Sequence, residues 1–189
     1  MTAVAAGSFW AFSLAIYARP GVPDACLGLQ DGHGLDVNVL LFALYAGQRG
    51  IALGIDDYAA LETVVSDWRR QVVAPLRGIR RHVKTTLGGE GGGPSMEREV
   101  YEAIKRAELA AERAQQARME QWLAARPTAD PAGAGAGCAE NLDAYLRFMQ
   151  CRRDAAAQAH LQVLRAAAPA VTPAAAGRST PSGRRPPAD

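Results

Sequence analysis

The chain has no apolar run approaching the roughly 20 residues needed to cross a bilayer, so no membrane span is expected. It also lacks a dominant charge. The net charge of +2 is too small to act as a global attractant for nucleic acid. Cysteine is scarce: Cys26, Cys138 and Cys151 form an odd set without a CxxC pair, which argues for reduced thiols in the cytoplasm. Only His33, His82 and His160 could join them, all widely dispersed, so no metal site is expected. No Gly-x-Ser-x-Gly elbow occurs, and Gly88-Gly89-Glu90-Gly91-Gly92-Gly93 leads to Pro94 where a phosphate-cradling loop needs lysine. The chain therefore offers no catalytic residue or cofactor motif, and a non-enzymatic function is expected. Met1 to Ala18 carries no charge, yet its missing basic start and its Trp10 and Phe12 speak against a signal peptide.

What remains is rich in helix formers. Ser8 can cap a first helix that Pro20-Gly21-Val22-Pro23 must break. A short second helix, with Pro23 and Asp24 in its first turn, ends near Gly32 and Gly34. Asp36 then reads as an N-cap taking the amide hydrogens of Asn38 or Val39, and a strongly apolar third helix runs to Gln48. In the fourth, Leu61, Val65, Trp68, Val72, Leu76, Ile79 and Val83 keep three-and-four spacing, which predicts one continuous buried stripe with a kink or restart at Pro75. Ser95 caps a fifth helix over 96–126, where Val100, Ile104, Ala107, Ala111 and Ala114 make a narrow seam. A sixth helix covers about 140–168. The expected architecture is all-α: one domain over 8–168, with a compact N-terminal helical module (8–87) followed by two long helices (96–168) packed as a hairpin against that module or each other. Residues 88–95 and 127–139 read as linkers, and 169–189 as a disordered tail.

Phe9-Trp10, Phe12-Ser13-Leu14, Pro20-Gly21-Val22, Ala25-Cys26-Leu27, Leu29-Gln30-Asp31, Gly34 and Asp36-Val37-Asn38 together resemble an uncharacterised family of small proteobacterial proteins classed as a domain of unknown function. The likeness continues through Trp68, Pro75-Leu76-Arg77, Arg80-Arg81, Glu108-Leu109, Glu112 and Asn141-Leu142. It implies a shared helical fold and a bacterial intracellular setting. It implies no activity, cofactor or catalytic residue.

Two constellations are candidate sites. Gln30, Asp31, His33, Asp36 and Asn38 crowd an acidic turn that could hold a metal or small molecule, in a binding protein or an enzyme. The plainer reading gives Asp36 a cap, leaves His33 exposed, and makes Gln30 and Asn38 partners in a buried network. Arg70, Arg77, Arg81 and Lys84, at intervals of seven, four and three, would form a cationic ridge on a continuous helix and could contact the phosphates of nucleic acid. No aromatic residues interleave with them, and Glu97, Glu99, Glu102, Glu108 and Glu112 stand ready as counter-charges. Residues 1–60 carry only Arg19 and Arg49 against Asp24, Asp31, Asp36, Asp56 and Asp57, so an acidic first third faces a basic remainder. That asymmetry favours internal pairing, and the leading expectation is an interaction or accessory protein whose partner is another protein.

Overall fold

The computed structural model describes residues 8–87, 95–126 and 137–168. Among them it forms eight α-helices, one π-helical turn and no strand, in keeping with the all-α expectation. Helix α1 (Phe9–Tyr17) starts at Ser8, whose hydroxyl accepts the Ala11 amide at 3.2 Å. Helix α2 (Val22–His33) has Pro23 in its first turn and stops at Gly34, whose φ of 68° would strain a residue with a side chain. The acidic turn is therefore shorter than the sequence suggests. Gln30, Asp31 and His33 lie in the last turn of α2, and only Gly34, Leu35 and Asp36 lead into α3 (Val37–Gln48).

Helix α3 is the centre of the core, buried over Asn38 to Gly47 and touched by α1, α2, α6 and α7. An all-round apolar helix is stable only when surrounded in this way. Phe9 packs edge-on against Phe42, with ring centroids 5.3 Å apart, and Tyr45 lies 5.1 Å from Phe9. Glu120 Oε1 accepts both the Phe9 amide and the Tyr45 hydroxyl at 3.0 Å, satisfying an orphan donor at the start of α1.

Helix α4 (Ile55–Trp68) passes through a π turn (Arg69–Val73) into α5 (Ala74–Thr86). Pro75 has no N–H to donate and would crowd the carbonyl of residue 71 in a straight α-helix; the wider turn just before it relieves both problems. The continuous buried stripe expected across this segment ends here. An extra residue in the turn advances the phase by about 100°, so Val73 is buried in place of Val72 and Ile79 is left 49 % exposed. Arg77 and Arg80 are brought round towards α6 (Ser95–Ala124) instead.

The buried face of α6 departs from the expected seam. Val100 and Ala107 are exposed, while Tyr101, Glu108, Ala111, Gln115, Gln116, Met119 and Leu123 face inward. Facing arginines on α5 give that side of α6 a reason to carry carboxylates. The sixth helix expected over 140–168 is two helices, α7 (Cys138–Phe148) and α8 (Ala155–Ala167), separated at Gln150, whose φ is 50°. Asp154 caps the second by accepting the Ala157 amide at 2.9 Å. In place of a hairpin with α6, α7 packs on α3 and α4, and α8 on α2. Asn141 anchors α7: its side chain bonds the Leu53 amide and the Ala43 and Ile51 carbonyls, and its own carbonyl accepts the Tyr58 hydroxyl. Of the linkers and tail expected at 88–95, 127–139 and 169–189, residues 88–94, 127–136 and 169–189 lie outside the described residues, while Ser95 already belongs to α6 and Cys138 and Ala139 to α7.

Candidate functional site

A groove of about 310 Å³ opens where α1, α2, α5 and α6 meet above the first turn of α3. Its walls are apolar: Trp10, Leu14 and Tyr17 come from α1, Leu27 from α2 and Leu109 from α6. Leu14, Leu27 and Leu109 are 52 %, 43 % and 51 % exposed, so three leucines around one cavity keep about half their surface in water. Burying a leucine fully is worth about 1.5–3 kcal/mol, a reserve still available to an occupant.

The floor is polar and buried. Gln116 Nε2 donates to Asn38 Oδ1 at 2.7 Å, and Ser13 lies beside them. Both the Gln116 side-chain oxygen and the Ser13 hydroxyl are buried without a hydrogen-bond partner among the described residues. Ser13 falls on the inward side of α1 and Gln116 on the inward side of α6, so helix packing aims both at the cavity.

Charged residues close one side. Arg77 donates from Nη1 to Gln30 Oε1 at 2.7 Å, from Nη2 to Glu112 Oε1 at 2.6 Å and from Nε to Glu108 Oε1 at 3.2 Å. Arg80 pairs with the other oxygen of Glu108. Two guanidinium groups thus share one buried carboxylate, so the side chain of Glu108 is matched on both oxygens. Burial pushes the Glu112 carboxyl above its usual range, against the pull of Arg77 and with help from the nearby charges of Glu108 and Asp36. Arg81 pairs with Asp31 at 2.9 Å on the surface, where its hydrogen bond holds the Asp31 carboxyl below the usual aspartate range.

Beyond the Gln30 and Arg77 pair lies a second cavity of about 260 Å³ with Asp36, Arg69 and Tyr145 on its wall. Asp36 Oδ1 accepts the Asn38 amide at 2.8 Å as the cap requires, and Oδ2 accepts from Gln115 at 2.9 Å and Arg69 at 3.2 Å. The Tyr145 hydroxyl accepts the Asp36 amide at 3.0 Å, which fastens α7 to the same corner. Arg69 also pairs with Glu62.

The five residues of the acidic turn therefore do not converge. Gln30 and Asn38 line the groove, and Asp36 with Gln30 lines the second cavity, whereas Asp31 lines neither. His33, expected to be exposed, turns away to Asp154 of the α8 cap at 3.6 Å with only 11 % of its side chain exposed. Groups of three or more His, Cys, Asp or Glu able to hold a metal ion are absent among the described residues. The four basic residues do not form one ridge either, because the π turn puts Arg70 out of phase with Arg77. Arg70 pairs with exposed Asp67, Arg77 turns inward, Arg81 meets Asp31 and Lys84 is half-buried. Ser13, Gln116, Leu27 and Leu109 were not marked as a site by the sequence; the available signal was a polar line on α6, Glu108, Glu112, Gln115 and Gln116, at helical spacing.

Fold and groove together define a class: an all-helical domain presenting an amphipathic cleft beside a buried ion-pair cluster. Residues 8–119, more than half of the chain, match the family described as Protein of unknown function (DUF2390), and the chain belongs to that family. Neither a curated protein nor a solved structure matches the chain. The match includes every residue that lines the groove, while the end of α6 and all of α7 and α8 lie beyond it.

Proposed function

We propose that this chain is a non-enzymatic interaction protein that binds another protein through the groove between α1, α2, α5 and α6. The observation that carries this reading is the gathering of half-exposed Leu14, Leu27 and Leu109 around one cavity. Scattered surface leucines are ordinary; a group of them rimmed by charged side chains marks a docking surface. Asp36, Arg69, Arg77 and Glu108 hold the helices that shape the groove. No helix among the described residues is long and apolar enough to cross a membrane. We place the protein in the cytoplasm, a setting that suits three free thiols, Cys26, Cys138 and Cys151.

Capture by the tagged full-length protein from a lysate of the cells that make it tests this reading, run beside a Leu27→Glu, Leu109→Glu double variant. The expected result is a stoichiometric companion on the native protein and none on the variant. A companion retained equally by both would place the interaction elsewhere.

A further inference from the structure

We infer that the groove takes a short acidic peptide segment of its partner, reading one backbone amide group at its floor and one apolar side chain against its walls. This inference rests on the groove being the docking surface and adds the chemistry of the occupant. The floor sets out three groups in a small space: the Ser13 hydroxyl, the Asn38 side-chain nitrogen and the Gln116 side-chain oxygen. Asn38 spends its oxygen on Gln116, and its side-chain NH₂ is the donor of the set. The Gln116 oxygen and the Ser13 hydroxyl are buried and unpartnered, in residues only 3 % and 4 % exposed. A buried polar atom without a partner is costly. Donors and an acceptor on one floor match the C=O and N–H of one extended residue: its N–H reaches the Gln116 oxygen, and its C=O accepts from the Asn38 nitrogen and the Ser13 hydroxyl.

Directly above them Leu14, Leu27 and Leu109 supply the apolar surface for that residue's side chain. The charge of the lining fixes the flank: Arg77, Arg80, Arg81 and Lys105 outnumber Glu108 and Glu112. Arg81 and Lys105 are half-exposed, and their present partners, Asp31 at 2.9 Å and Glu102 at 4.0 Å, are surface carboxylates. Such exposed pairs are held weakly, so an incoming Asp or Glu can replace them at little cost.

The test is to pan a display library of random linear peptides on the full-length protein and measure binding of an enriched peptide to variants. Enriched sequences are expected to place Leu, Ile, Met or Phe beside Asp or Glu. Binding should fall by about tenfold or more on Leu27→Glu, weaken several-fold on Ser13→Ala, and fall about tenfold when the amide at the apolar residue is N-methylated. Ser13→Ala removes a hydroxyl that has no partner among the described residues, so the melting temperature should hold or rise while binding weakens; a purely structural serine would not give that combination. Peptides that are lost on Leu27→Glu but indifferent to Ser13→Ala and to N-methylation would overturn the amide reading and leave the docking surface standing. Enriched peptides without acidic residues would overturn the charge reading alone. No enrichment, or equal binding to Leu27→Glu, would overturn both the occupant and the groove.

Discussion

Gln116 reaches from α6 to Asn38 on α3, joining with a 2.7 Å hydrogen bond two residues 78 positions apart in the chain, and its side-chain oxygen stays buried at the bottom of a groove without a partner among the described residues. The same pair ties two helices together and lines a floor where a ligand amide could find both a donor and an acceptor. Packing and recognition are served by adjacent atoms of the same side chains.

Asp36 is the structural counterpart. Asp36→Ala removes the α3 cap, the Gln115 bond and the Arg69 ion pair together, and should cost about 2 kcal/mol or more. Asp36→Asn keeps a capping oxygen and loses the charge, so its cost should be about half as large. Urea unfolding of the three proteins checks the order; an Asp36→Ala protein as stable as the native one would remove the corner from its structural role.

Two glycines in helices should respond with opposite signs. A Cβ on Gly47 would stand 2.6 Å from the backbone nitrogen and Cα of Cys138, so Gly47→Ala should push α7 off α3 and destabilise by about 1–3 kcal/mol. Gly32 has nothing within 4 Å of the same position, and Gly32→Ala should stabilise by up to about 1 kcal/mol through helix propensity. Melting temperatures of the two variants decide it.

Asn141 belongs to α7, outside the family match, and yet it closes the loop between α3 and α4 through three side-chain hydrogen bonds. Asn141→Ala strands those backbone groups in the core and should cost about 3 kcal/mol. Loss of amide-exchange protection at Leu53 is the specific signature.

Glu112 should leave a mark in the pH dependence. Its carboxyl is raised by burial above the usual 4.5, so between that value and its value in the folded protein the native state holds a proton the unfolded chain has released. Stability from this group is full below 4.5 and falls as pH rises through that window. Relative to the native protein, Glu112→Gln should gain in melting temperature as pH increases from about 4.5 upwards. A difference that stays flat with pH would show that burial and the Arg77 pairing cancel.

The elements that were legible in the sequence carry their own local chemistry. Ser8, Gly34 and Asp36 bound helices because their side chains or backbone freedom satisfy helix ends, and α3 declares itself by an unbroken apolar run. The phase of α5 was not legible: Pro75 signals a disturbance, but whether the chain kinks or inserts a π turn depends on which face α6 offers. The break between α7 and α8 was hidden because Gln150, not a glycine, takes the positive φ; Asp154 before an alanine run was the usable cue. The groove was hidden for a different reason. Ser13 and Gln116 are ordinary helix residues, 103 positions apart in sequence, and only tertiary packing turns both towards Asn38.

The most direct test of the groove is a ¹H–¹⁵N spectrum of the full-length protein titrated with a peptide enriched by panning. The side-chain NH₂ signals of Asn38 and Gln116 and the indole of Trp10, all on the groove, should shift together and saturate with the same affinity, while the indole of Trp122, packed against Phe42 in the core, stays in place. Shifts gathered instead at exposed Ile79, Met96 and Val100, none of which lines the groove, with Asn38 and Gln116 unmoved, would contradict the account.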